Sequence, residues 1–181
     1  VWDIRRKTSC LGTYRGHTDK VSQVLFSPDG SIAASGGYDG IVNVWDLTAA
    51  KLLYQFKDSH ASAITSMAFH PSEFILATAS LDKTIKFWDI DQFSLVSTIT
   101  TGSSAARCIK FEGGGGTVLA AMQDQMKNYN WSNDNCRSVH NIDVPWNNVA
   151  DFAVQTKTKR VVACSMEESF VSPFLVRYAP K

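Results

Sequence analysis

A chain of 181 residues with 44% hydrophobic and 19% charged residues, spread evenly, reads as globular and long enough to bury a core. No run approaches the roughly 18 consecutive apolar residues of a membrane span, and no charged-then-apolar leader opens the chain. A formal net charge of +1 gives no global attraction to nucleic acid or anionic membrane, and the clusters Arg5-Arg6-Lys7 and Lys157 to Arg160 read as solvated strand-end charges.

The start of the chain, Val1 to Ile4, reads as the end of a strand carrying Trp-Asp, which predicts a fragment that begins inside a repeat. The next unit is the best written. Cys10 to Tyr14 predicts a strand, Gly16-His17 a turn, and Val21 to Phe26 alternates apolar and polar residues as a half-buried strand does. Ser27-Pro28-Asp29-Gly30 is a turn in which proline presets φ and glycine takes the positive φ. Ile32 to Ser35 starts another strand, Gly36 to Gly40 turns, and Ile41 to Leu47 completes a unit of four antiparallel strands. Leu52 to Phe56 opens the next pass, where His60, Phe69, Asp82 and Trp88 fall in phase with His17, Phe26, Asp39 and Trp45.

The third pass, Leu95 to Trp131, keeps the apolar pattern and loses the polar one. Ser103 stands at the histidine position, and Asp124 arrives one residue early. In the fourth pass Trp146 holds the histidine position, Cys164 the hydroxyl position, Glu168 the aspartate position and Phe174 the tryptophan position. Trp2, Trp45, Trp88 and Trp131 are each 43 positions apart, and one more step reaches Phe174. A period of roughly 40 to 45 residues with Gly-His and Trp-Asp is the signature of a WD-repeat β-propeller. The expected fold is therefore all-β, a partial propeller of about four blades with repeats at about 8–47, 51–90, 94–132 and 136–178. A ring of seven blades needs about 300 residues, so the piece is expected to expose apolar end faces and to be poorly soluble alone.

His17, Ser35 and Asp39 contain the ingredients of a hydrolase triad. The set recurs as His60, Thr78 and Asp82, and an enzyme seldom builds its nucleophile once per blade. The expected role is structural: an imidazole between an aspartate and a hydroxyl, with the hydroxyl meeting the indole of Trp45 or Trp88, satisfies buried polar groups. Gly113 to Gly116 lacks the Lys-Ser/Thr of a phosphate loop and reads as a hairpin turn. Phe26, Phe69, Phe87 and Phe111 are expected to pack between blades. His70 and His140 read as surface or turn histidines without metal-ligand spacing. Cys10, Cys108, Cys136 and Cys164 show no close pair, which reads as free thiols in a reducing compartment, the cytosol or nucleus. No catalytic residue, metal or cofactor is expected.

Partner recognition is expected at one rim, where the turns before the repeated aspartates and the segments after the histidines converge. Tyr38, Leu81 and Gln123 precede successive aspartates, and Asp19 and Lys20 follow the first histidine. Tyr38 is either an exposed anchor or a tyrosine packed on the adjacent blade.

Several phrases narrow the family. Trp2-Asp3-Ile4-Arg5-Arg6-Lys7, Tyr14-Arg15-Gly16-His17, Trp45-Asp46-Leu47-Thr48-Ala49, Phe69-His70-Pro71-Ser72-Glu73 and Thr84-Ile85-Lys86-Phe87-Trp88-Asp89 resemble the propeller of the WD-repeat regulatory subunit of katanin. The similarity covers residues 1 to 132 and continues in outline to about 178. It implies a non-catalytic subunit that targets a microtubule-severing ATPase, with microtubules, tubulin or centrosomal proteins as partners, in the cytoplasm at the cytoskeleton, centrosome or spindle pole. In that family a separate C-terminal domain grips the ATPase, and this chain is expected to stop before it. Other WD scaffolds, such as a ubiquitin-ligase substrate receptor or a chromatin-associated peptide reader, would use the same fold with different rim chemistry.

Overall fold

A computed structural model describes residues 1, 5, 10, 12–132, 136–144, 146–166 and 171–178. Trp2, Arg6, Lys7 and Glu168 lie outside the described residues. The first sheet has the order β1 (Val21–Phe26), β2 (Ile32–Gly37), β3 (Val42–Asp46) and β4 (Lys51–Phe56). The second is β5 (Ile64–Phe69), β6 (Ile75–Ser80), β7 (Thr84–Asp89) and β8 (Ser94–Thr100), and the third is β9 (Cys108–Phe111), β10 (Thr117–Ala121), β11 (Gln125–Asn130) and β12 (Arg137–Asp143). A three-stranded sheet of β13 (Val149–Gln155), β14 (Arg160–Met166) and β15 (Val171–Arg177) follows. All neighbours are antiparallel.

Local chemistry sets the hairpins. The Ser27-to-Gly30 turn closes with Gly30 N–H donating to Ser27 O at 2.9 Å, with Gly30 at φ +73°. The Asp of each Trp-Asp closes the next one. Asp46 Oδ1 accepts from the N–H groups of Thr48 and Ala49 at 2.8 and 2.9 Å, and Asp89 Oδ1 accepts from those of Asp91 and Gln92 at 2.8 and 2.9 Å. These turns fold β4 back on β3 and β8 back on β7.

The sheets therefore do not coincide with the units expected from sequence. Gly12 to His17 forms no strand, and the segment expected to open the second unit supplies the fourth strand of the first sheet. The Asp-closed hairpin places β4 beside the free edge of β3, so that pairing forms there.

The core lies between sheets, in three seams. Val42, Val44, Phe56, Ile64, Met67 and Trp88 fill the first. Phe87, Ile109, Val118, Tyr129 and Trp131 are central to the second. Leu119, Met126, Trp146, Phe152 and Val161 are central to the third. The inner strands pack in series, β1 on β5, β5 on β9 and β9 on β13.

Polar bonds cross these seams about one repeat apart in sequence: Met67 N–H to Gln23 Oε1 at 2.5 Å, Ile109 N–H to Ser66 Oγ at 3.1 Å and Gly113 N–H to Thr156 Oγ1 at 3.2 Å. Lys159, expected to be a solvated charge, instead pairs with the buried Glu112 across the last seam.

Phe26 departs from expectation. It is 61% exposed, whereas Phe87 is fully buried. Val24 and Phe26 belong to the side of the first sheet that none of the other described sheets covers, and Val162 and Leu175 are similarly exposed on the last sheet.

His70 also differs, since it is a turn residue yet only 2% exposed. Its Nδ1 accepts from the N–H groups of Ser72 and Glu73, and its ring packs edge-on against Phe111 at 4.9 Å. Gly113 to Gly116 form the turn between β9 and β10, with Gly115 N–H donating to Glu112 O.

Candidate interaction surface

Two matched hydrogen-bond chains hold the loops of the first and second sheets. In the first, Trp45 Nε1–H donates to Ser35 Oγ at 2.8 Å, Ser35 lies 2.8 Å from His17 Nε2, and His17 Nδ1 lies 3.1 Å from the Asp39 carboxylate. In the second the corresponding distances are 2.9 Å for Trp88 to Thr78, 2.8 Å for Thr78 to His60 and 2.9 Å for His60 to Asp82. One proton arrangement satisfies every group. The carboxylate accepts from Nδ1–H, so Nε2 is the acceptor for the hydroxyl, and the hydroxyl oxygen accepts from the indole. Gly16 completes the first chain, because a Cβ there would lie 2.9 Å from the Trp45 ring.

The same aspartates shape the rim. Asp39 accepts from the backbone N–H groups of Thr18 and Ile41, and Asp82 from those of Ala61 and Thr84. Each carboxylate thereby ties the segment after its histidine to the turn before β3 or β7.

Above these turns lies a depression of about 870 Å3 bordered by all four sheets. Lys20, Tyr38, Leu81 and Gln123, expected separately at the rim, all line it. Tyr38 is 55% exposed and Leu81 53%. Asp19 does not line the depression, and its carboxylate accepts from Lys20 N–H at 2.7 Å.

The depression also contains Arg107 and the residues Ser22, Thr65 and Ala150, which sequence reasoning missed. The signal was present: Val21, Ile64, Arg107 and Ala150 all line it and lie 43 positions apart. Ser22, Thr65 and Ala150 fall where the inner-strand registers shift, and such bulges turn side chains out of the regular pleat.

Residues 8–46 and 50–89 match the WD40 family, described as WD domain, G-beta repeat. These segments are WD40 repeats. A chain of the crystal structure of a mitotic checkpoint complex superposes with a TM-score of 0.83 at 22% identity, covering 91% of this chain and 52% of that one. The fold is accordingly a WD-repeat propeller, with four blades among the described residues. "Cross-pathway control WD-repeat protein 2" of Flammulina velutipes is 46% identical over 57 residues, or 32% of this chain and 18% of that protein. "Small ribosomal subunit protein RACK1z" of Arabidopsis thaliana is 56% identical over 45 residues, or 25% of this chain and 14% of that protein. The chain thus spans less than a fifth of these two curated relatives and about half of the checkpoint chain.

Beyond the matched WD40 repeats, the last two blades replace the hydrogen-bond chain with other partners. Trp131 has lost its hydroxyl, and its Nε1–H donates to Glu73 Oε2 of the preceding blade at 3.1 Å. In the last blade Trp146 and Phe174, at the histidine and tryptophan positions, meet edge to face at 6.2 Å. Cys164 bonds instead toward Asp151 O. An aromatic contact there does by packing what the imidazole does by hydrogen bonding.

Titration of the WD40 hydrogen-bond chains makes stability fall with acid. Burial pushes the His60 imidazole below its ordinary 6.5, against the pull of Asp82. Burial opposes ionisation of Asp82, but the Thr84 hydroxyl and His60 outweigh it and hold the carboxyl below 3.8; the N–H groups of Thr18 and Ile41 do the same for Asp39. Both kinds of group bind protons more readily unfolded. Their contributions are full above the unfolded values and are lost as pH falls, first below about 6.5 for His60 and then below about 3.8 through the folded aspartate values. Melting temperatures from about pH 8 to about pH 4 are expected to decline below about 6.5 in the wild type and less steeply in His60→Gln. Parallel curves would show that His60 is not the titrating group.

Proposed function

We propose that this chain is a non-catalytic interaction scaffold that presents the rim depression to protein partners, and that it serves as the targeting part of a microtubule-severing katanin complex. The scaffold reading is carried by one observation: Lys20, Tyr38, Leu81 and Gln123, far apart in sequence, border a single depression. The triad-like groups beneath it are committed to the framework. Ser35 Oγ is held between an indole N–H and an imidazole, and the second blade repeats that arrangement with threonine.

The katanin assignment is supported by the phrases that resemble its regulatory subunit, and it predicts residence at the cytoskeleton, centrosome or spindle pole. Affinity purification of the full-length protein tests it. An AAA-type ATPase together with tubulin is the expected catch, and its absence would remove the assignment while leaving the scaffold.

A second reading has its own support. "Cell division cycle 20.6, cofactor of APC complex" of Arabidopsis thaliana is 44% identical over 48 residues, 26% of this chain and 11% of that protein. A ubiquitin-ligase substrate receptor would yield ligase subunits in the same purification.

Whichever partner is recovered, Tyr38→Ala is expected to weaken its binding about tenfold with the melting temperature nearly unchanged, because surface changes seldom exceed about 0.5 kcal/mol in stability. Phe74→Ala is the control: Phe74 is 65% exposed but lies in the β5–β6 connection, outside the depression. Equal losses from both variants would remove the rim as the binding surface.

A further inference from the structure

We infer that the rim depression binds an acidic, extended peptide segment carrying an apolar residue, an inference that rests on the rim reading above. Its lining contains two cations, Lys20 and Arg107, and no carboxylate among the described residues. Neither cation is ion-paired to a described carboxylate.

The fold turns the nearest carboxylates away from the lining surface. Asp39 and Asp82 follow directly after Tyr38 and Leu81, yet their side chains are only 5% and 12% accessible because they turn inward to His17 and His60. The exposed Asp19 and Asp124 lie outside the lining, and Asp19 is engaged by Lys20 N–H. The lining surface carries positive side chains at the first and third blades and apolar area at Tyr38 of the first blade and Leu81 of the second.

Charge of one sign in a concave site concentrates partners of the other sign. The apolar side chains favour a partner that can also bury hydrocarbon, and the exposed Ser103 and Gln123 offer hydrogen-bonding groups to its backbone. An extended segment fits because the lining crosses the loops of four sheets, which a single compact side chain cannot span. Two cations in a chain of net charge +1 are too few for tight phosphate-backbone binding, so a peptide is favoured over a nucleic acid.

The test uses fluorescence anisotropy on the full chain with a short labelled peptide of glutamates around two central leucines. The same peptide with glutamine for glutamate and a single-stranded RNA oligonucleotide serve as comparisons. The glutamate peptide is expected to bind with an affinity that falls as salt rises. Lys20→Glu combined with Arg107→Glu should weaken it at least about tenfold, and Leu81→Ser should weaken it at unchanged salt dependence. These exposed positions allow the variants to fold, which circular dichroism melts confirm. Equal binding of the glutamine peptide, equal binding of the RNA, or an unaffected double variant each overturns the inference. If the peptide fails to bind while Tyr38→Ala still releases the purified partner, the rim reading stands and the acidic partner falls.

Discussion

His60→Ala is expected to lower the free energy of unfolding by about 2–3 kcal/mol, read from urea denaturation with an unchanged slope. The His60 side chain is fully inaccessible and Thr78 is fully buried. Removing the imidazole takes away the 2.8 Å acceptor of the Thr78 hydroxyl, leaves it the longer contact to Lys86 O at 3.4 Å, and opens a cavity beside it. Asp82 suffers less, because Ala61 N–H, Thr84 N–H and the Thr84 hydroxyl continue to donate to it at 3.1, 2.9 and 2.7 Å. The loss should therefore come from the histidine–hydroxyl–indole end of the chain.

A double-mutant cycle locates that end. Thr78→Val alone strands both His60 Nε2 and the Trp88 indole; in the His60→Ala background it strands only the indole. A coupling of about 1 kcal/mol or more is expected. Additive effects within about 0.3 kcal/mol would mean that the three side chains do not act as a unit.

Phe87→Ala should cost still more, about 3–5 kcal/mol, the range for deleting a fully buried aromatic side chain. Phe87 is 0% exposed, stacks on Trp131 at a centroid distance of 4.6 Å and meets Phe111 at 6.4 Å. It sits in the second seam, so its loss tests whether stability resides in blade-to-blade packing. Phe26→Ala removes the same group from a surface that is 61% exposed and should change stability by less than about 1 kcal/mol. Equal effects would contradict the division between a buried seam and an open face. Because the seam joins neighbouring blades, Phe87→Ala should also reduce the protection of amide protons in β9 to β11 against exchange.

Much of the framework can be read from residues close in the pattern. The spacing of His17, Ser35, Asp39 and Trp45, repeated at His60, Thr78, Asp82 and Trp88, predicts which side chains meet, since all four belong to one blade. Tyr38, Leu81 and Gln123 could be placed on a rim for the same reason. Arg107 was missed because a cation stands there where its in-phase counterparts Val21 and Ile64 are apolar, although the period itself pointed there. The assignment of β4 to the first sheet required knowing that Asp46 closes a hairpin, a bond that the repeat phrase marks without explaining.

By itself the sequence determined the all-β repeat, the turns and the in-blade hydrogen-bond chains, because these depend on alternation, turn chemistry and partners held at a constant spacing. Only the tertiary structure decided that Trp131 answers the loss of its hydroxyl by donating to Glu73, 58 residues away, and that Trp146 and Phe174 substitute packing for the polar chain. It likewise decided that His70 is buried, that Phe26 is not, and that Arg107 joins Lys20 at one depression. The physical reason is common to these cases. Each depends on how one blade docks against or beside the next, and a change of residue type there is compensated by whatever neighbour the docking brings within reach.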